Sequence, residues 1–257
     1  IRGYNGSHSA TPNVTIQNVG DVTADVITTK VSGNSSNPLG YISITQTGGL
    51  TVNELSAYSP ASYGASDSMG IELTGNGSGT VSIGTLLAHA GRLITSGKGV
   101  DIDNYYGVSV TTTFEAYSHG NWTTVADAQI INIGNGGVSL PTVDVSYRSG
   151  SGQNPASSFT VSTSGPIDIS GDVITYTNGS YDSDTNGGDI TLTAGAQLLV
   201  EGIFDANSAR GNSNDGNAYL TTTSSLAADP SIILGEELNP GAQTLDLDLV
   251  KLIQFNA

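Results

Sequence analysis

ITLTAGAQLLVEGIFDANS, residues 190–208, alternates Ile190 and Leu192 with Thr191 and Thr193 and then turns at Gly195. A second apolar run follows at Leu198–Val200, another Gly at 202, a third short run through Phe204, and a polar exit at Asp205-Ala206-Asn207-Ser208. Successive side chains of a strand point to opposite faces, so Ile190 and Leu192 face inward while the threonines face solvent. The same plan starts again at Val14 (VTIQNVGDVTADVITTKVS), Ile42 (ISITQTGGLTVNELSAYS), Ile71 (IELTGNGSGTVSIGTLLAHA) and Leu93 (LITSGKGVDIDNYYGVSVTTTF). It returns at Ile130 (IINIGNGGVSLPTVDVSYRS), Phe159 (FTVSTSGPIDISGDVITYTN) and, more loosely, Tyr219 (YLTTTSSLAADPSIILGEE). The starts are 28, 29, 22, 37, 29, 31 and 29 residues apart, and seven units place a Gly one strand in, at Gly20, Gly48, Gly77, Gly97, Gly134, Gly165 and Gly195.

A unit of this length cannot bury its own apolar face, whereas stacking the units buries all of them. The expected fold is therefore all-β, a right-handed parallel β-helix of about eight coils with three short strands in each. At ~4.8 Å per coil it forms a rod on the order of 40 Å long. A β-sandwich also produces many short strands with turns, but it gives no reason for one shared Gly corner. Helix signals are nearly absent, since no 3.6-residue apolar period is sustained. Residues 1–243 are assigned to the rod, with a loop insertion at 114–127. Residues 244–257 are assigned to a C-terminal cap or an inter-subunit strand, because Leu245-Asp246-Leu247-Asp248-Leu249 alternates and then slips phase through Val250, Leu252, Ile253 and Phe255.

Composition narrows the function classes. The 257 residues include 34 Gly and no Cys, and 7 Lys+Arg against 23 Asp+Glu leave a net charge of -16. A polyanion is repelled by that field, and Arg2, Lys30, Arg92, Lys98, Arg148, Arg210 and Lys251 are scattered singly, so no nucleic-acid partner is expected. Without Cys there is no disulfide framework, thiolate metal site or Cys nucleophile, and only His8, His89 and His119 remain as imidazole ligands. No apolar run approaches the ~20 residues of a membrane helix, so no membrane span is expected. A light, acidic, Thr/Asn/Gly-rich chain without Cys fits a secreted or cell-surface protein.

The segment GGDITLTAG, Gly187–Gly195, with the small-residue strand after it and Asp205-Ala206-Asn207-Ser208, resembles the shaft repeats of filamentous-haemagglutinin-type adhesins and related autotransported parallel β-helix proteins. The pattern covers most of residues 14–235 and is closest over 187–211. The resemblance implies an extracellular protein that serves attachment and the build-up of surface layers. The expected function is thus structural and adhesive: a rigid solenoid that presents binding loops or assembles into a fibre. Its partners would be other copies of itself, or surface glycans and proteins. The alternative is a carbohydrate-active β-helix of the tailspike or pectinase kind.

Three clusters are candidate sites. Asp182-Ser-Asp184-Thr-Asn186-Gly187 sets oxygen side chains at positions 1, 3 and 5 before a Gly, the way a calcium loop wraps its ion. Asp189 would complete the set, so Ca2+ is the expected cofactor, set against ordinary turn chemistry for the same residues. The insertion carries Tyr117, His119 and Trp122, aromatic faces with polar tips suited to stacking on sugar rings or capturing a partner. Asp101 and Asp103 stand at i and i+2 on one strand face, their side chains ~6.5 to 7 Å apart, the spacing of an inverting glycosidase pair. With no accompanying basic group, outward Asp on a solvated strand is the preferred explanation, and no enzyme is expected.

Overall fold

The computed structural model describes residues 1–5, 13–31, 40–58, 70–89, 99–116, 127–148, 157–178, 187–206, 216–222 and 245–246. These residues form strands and turns, with no helix among them, and every strand pair is parallel. A nine-stranded sheet takes Asn13–Gln17, Tyr41–Thr47, Gly70–Gly75, Val100–Asp103, Ala128–Ile133, Phe159–Thr163, Ile190–Ala194, Ala218–Thr222 and Leu245–Asp246, in chain order. The strands between them build an eleven-stranded sheet from Arg2–Asn5, Val22–Val31, Leu50–Tyr58, Thr80–His89 and Gly107–Glu115 onward. The chain therefore alternates between two sheets and advances one strand at each pass, which makes it an all-β parallel solenoid.

Columns of apolar side chains follow from that register. Val14, Ile42, Ile71, Val100, Ala128, Phe159, Ile190 and Ala218 lie in line across the nine-stranded sheet, all buried. Facing them, Val22, Leu50, Val81, Val108, Val138, Ile167 and Leu198 make the first column of the other sheet. Burying each of the larger side chains contributes about 1.5 to 3 kcal/mol. The column also counts the passes that place a strand in each main sheet: seven among the described residues, with Ala218–Thr222 the described part of the unit at Tyr219.

The columns correct the alignment of the repeat. Paired positions advance by 28, 29, 29, 28, 31, 31 and 28 residues, so the irregular steps of 22 and 37 disappear. The fourth coil starts at Val100 rather than Leu93, the fifth at Ala128 rather than Ile130, and the eighth at Ala218 rather than Tyr219. The error has a physical source. The left-handed turn of the fourth coil is made by Asn104 (φ 59°), so aligning on Gly97 displaced the unit. Asn tolerates this backbone because its short amide can bond locally, and here Asn104 Nδ2 donates to the Gly75 carbonyl at 3.1 Å.

The expected three separate strands per coil hold only from the fifth coil on, where Gly137–Leu140 and Val143–Asp144 are divided at Pro141-Thr142. Proline supplies no N–H to a ladder, which ends the strand there. In the earlier coils the second and third runs fuse into strands of 9 or 10 residues. The corner survives inside them as a bend: Val52 and Leu55 are both buried three residues apart, breaking the period of two, and the pairing skips Asn53. Phe114, assigned from sequence to the insertion, lies in the strand Gly107–Glu115 and is fully buried. It belongs to the column Ile27, Leu55, Leu86, Phe114, Val143, Val173 and Phe204, because Leu86 and Val143 already supply an apolar slot above and below it.

Candidate functional site: a polar groove along the solenoid corner

The outward faces carry cross-coil ladders of polar side chains. Ser43, Glu72, Asp101 and Gln129 are successive partners on the nine-stranded sheet. Glu72 accepts hydrogen bonds from the Tyr41 hydroxyl and from Ser43 Oγ (3.0 Å), while Asp101 Oδ1 accepts from Gln129 Nε2 at 2.8 Å. Burial raises the Tyr41 hydroxyl well above its ordinary pKa, and the bond to Glu72 together with the Glu72 and Asp101 charges raises it further. Asp103 Oδ1 accepts from Asn132 Nδ2 at 2.8 Å. Asp101 and Asp103 thus share the outer face as their spacing predicted, and each is held by an amide from the next coil.

A second set of carboxylates serves the backbone. Asp21 stands one residue before its strand and accepts the N–H of Gly49, which occupies the same place in the next coil, at 2.7 Å. Asp127 does this for Ser158 N (2.7 Å), Asp172 for Ile203 N (3.0 Å) and Asp189 for Asn217 N (2.9 Å). Buried or half-buried N–H groups at strand entries need an acceptor, and a charged acceptor is the stronger one. Asp189, expected as a calcium ligand, is therefore a clamp between consecutive coils in this structure. The other expected calcium ligands, Asp182, Asp184 and Asn186, and the aromatic cluster Tyr117, His119 and Trp122 lie outside the described residues. Among the described residues no group of three or more His, Cys, Asp or Glu is placed to hold a metal ion. His89, nearly buried at the end of its strand, sets Nε2 2.9 Å from Glu115 Oε2, joining neighbouring coils of the other sheet.

The corner between the two sheets holds an open groove of about 620 Å³, lined by Gly77, Asn104, Tyr105, Asn132, Ile133, Gly134, Ser162, Thr163, Ser164, Thr193 and Gly195. These residues come from successive coils, so the groove runs along the axis of the rod. Asn104 and Asn132 both take the left-handed conformation (φ 59° and 54°) and are exposed, which places amides on its wall. Tyr105 is fully buried beneath it. Tyr106, 45 % exposed, rests its ring on the next corner: a Cβ on Gly136 would stand 2.8 Å from its Cδ1 and Cε1, and one on Gly134 would stand 3.4 Å from its Cδ2. The two glycines let the ring lie down against backbone, so Tyr106 packs on the lining residue Gly134 while standing outside the groove's own lining.

Sequence reasoning placed Asp101 and Asp103 correctly on one face and missed this groove. Its walls are assembled one or two residues per coil, from positions 28 to 31 residues apart, and no local motif marks them. The signal available was the recurrence of Asn four residues into three of the coils, at 18, 104 and 132, where the others carry Gln46, Gly75, Thr163, Ala194 and Thr222. No family model, curated protein or solved structure matches this chain.

Proposed function

We propose that this chain is an extracellular structural and adhesive rod, of the type that filamentous-haemagglutinin-like repeats form, which presents surface features along its length and joins neighbours at its ends. The observation that supports this reading is the disposition of the ionisable groups. Two apolar columns run through the nine-stranded sheet without a charged residue, while Asp21, Asp101, Asp103, Asp127, Asp172 and Asp189 are engaged in bonds between coils. That is the economy of a scaffold, in which acids fix the stacking of strands. The alternative, a carbohydrate-active β-helix cleaving surface polysaccharide, rests on Asp101 and Asp103, and release of reducing ends from a glycan is the measurement that would favour it.

The ends are where such rods meet. Val19 in the first coil is 41 % exposed, and Ile16, Val22 and Ala24 beside it are only partly buried against the core. At the other end Leu245–Asp246 pairs with Ala218–Tyr219 and continues the nine-stranded sheet. Strand edges that are not covered template further strands, and a head-to-tail contact that does not close gives a filament. Deleting residues 244–257 is expected to abolish assembly, read by sedimentation and electron microscopy, while leaving a soluble β-rich monomer. A truncated chain that aggregates or unfolds makes the segment an intramolecular cap and removes the support for a filament.

Calcium belongs to this proposal through Asp182, Asp184 and Asn186. Calcium at about 100 times its dissociation constant stabilises a folded chain by ~2.7 kcal/mol, so a chelator is expected to lower the melting temperature, and Asp182→Ala with Asp184→Ala is expected to remove the chelator effect. Asp189→Ala is expected to cost about 1.5 to 3 kcal/mol with or without calcium, because it removes a charged acceptor from the Asn217 N–H. A melting temperature insensitive to chelator sinks the calcium site, and a loss at Asp189 that appears only in calcium sinks the clamp.

A further inference from the structure

We propose that the corner groove is a non-catalytic binding site for a neutral polysaccharide chain lying parallel to the rod axis, with Tyr106, which flanks the groove on the lining residue Gly134, as a stacking platform beside it. The inference rests on the adhesive reading and names its ligand class. Four observations point to it. The first is repetition. The groove wall draws on Asn104, Asn132, Ser162 and Thr193 from four successive coils, so it offers amide and hydroxyl groups at intervals of ~4.8 Å. A ligand that meets a similar set of groups at each interval must itself repeat along its length.

The second is chemistry. Side-chain amides and hydroxyls that donate and accept in turn match the hydroxyls of a sugar chain, and the exposed side of the Tyr106 ring offers an apolar face for a pyranose. The third is charge. No Lys or Arg lines the groove, Asp103 stands beside Asn132, and the whole chain carries -16, so a polyuronate or sulfated chain is repelled. The fourth argues against a peptide. Extended peptides bind by adding a strand to a free edge, whereas here the corner backbone is already paired from coil to coil: Tyr106 N donates to Gly79 O at 2.7 Å, Gly134 N to Tyr105 O at 2.9 Å and Gly136 N to Tyr106 O at 3.0 Å. What the groove leaves for a ligand is side chain: the amides of Asn104 and Asn132 and the hydroxyls of Ser162 and Thr193, beside Thr163 and Ser164, whose hydroxyls already donate to the Gly134 and Ile133 carbonyls.

The positions of Asn104 and Asn132 fit this use. Glycine would satisfy the left-handed backbone at either place and is used at the Gly77 corner (φ 84°); Asn instead adds an amide that bonds the preceding coil through Nδ2, to the Gly75 carbonyl from Asn104 and to Asp103 from Asn132, and brings its second N–H and its Oδ1 to the groove wall. Asn104 directs Nδ2 to the Gly75 carbonyl, and a Cβ on Gly77 would lie 3.3 Å from its Oδ1. A glycine at Gly77 therefore keeps the neighbouring wall clear of that amide oxygen.

Isothermal titration calorimetry tests the site, using three probes: a β-1,4-glucan hexasaccharide, an α-1,4-glucan hexasaccharide and an oligogalacturonate hexamer. At least one neutral hexasaccharide is expected to bind and the oligogalacturonate to bind at least tenfold more weakly. Tyr106→Ala and Asn104→Gly are each expected to weaken the neutral probe at least tenfold, with cooperative circular dichroism melts that show both variants folded at the titration temperature. Failure of both neutral probes, tighter binding of the oligogalacturonate, or unchanged affinity in both variants overturns the proposal. A Gly-Ser peptide of equal extended length that competes for the groove also overturns it. Adhesion of the rod to a glycan-coated surface is measured in parallel. If the surface is bound and Tyr106→Ala leaves that binding unchanged, the groove fails while the adhesive reading stands. If the hexasaccharide binds in solution but the rod neither adheres nor assembles, the adhesive reading fails instead.

Discussion

Phe114→Ala is expected to destabilise the chain by about 3 to 5 kcal/mol, read from the midpoint of urea denaturation. The side chain is fully buried between Leu86 and Val143 in its column, and its ring meets that of Phe159 edge-on at 5.8 Å and 66° from across the core. Removing it opens a cavity where the two sheets set aromatic rings against each other. Leu192→Ala, between Val161 and Leu220, belongs to the same class at about 2 to 5 kcal/mol, while Thr193→Ala on the opposite face should stay within about 0.5 kcal/mol. Equal losses at 192 and 193 would put the strand in the wrong register. A neutral Phe114→Ala would return that residue to the insertion.

Gly79→Ala is expected to prevent the second and third coils from stacking, at a cost on the order of 3 kcal/mol or more. A Cβ at Gly79 would stand 1.5 Å from the Gly48 carbonyl oxygen and 2.0 Å from its carbon, and these are backbone atoms with no rotamer to yield. Gly20 provides the control one coil further out. A Cβ there meets nothing within 4 Å, so Gly20→Ala should change stability by less than about 0.5 kcal/mol. Thermal unfolding of the two variants side by side reads the difference. Comparable losses would mean that the corners matter through backbone freedom rather than through the close approach of neighbouring coils.

The solenoid was legible in the sequence because stacking requires each coil to repeat the same inward pattern. Ile42, Ile71, Phe159 and Ile190 announce their columns by alternation alone. The three displaced units show what alternation does not carry. Leu93 and Ile102 both begin plausible apolar runs, and only the pairing of Val100 with Ile71 and Ala128 decides between them. The fusion of strands in the early coils was hidden for a related reason: a bend at Asn53 or Gly84 and a corner at Pro141 look alike in a chain rich in turn residues. Asp101 and Asp103 were placed on the right face, but their partners, Gln129 and Asn132, sit 28 and 29 residues away and declare nothing locally. Tyr106 reads in sequence as one of two adjacent tyrosines. Only the glycines of the following coil separate it, lying on the surface, from Tyr105, buried to the last atom.

Because each residue pairs with one a single coil away, nothing in the rod encodes its own length. Excising residues 100–127 would bring Ile71 against Ala128, two members of a column that Val100 already joins, and the sheets on either side would close over the gap. Duplicating the same stretch would insert one more rung. A gene that gains or loses such a unit changes the reach of its product by about 4.8 Å and leaves the inward apolar columns unbroken. Reach is then a trait that inheritance can tune in discrete increments, one coil at a time, without refolding the rest.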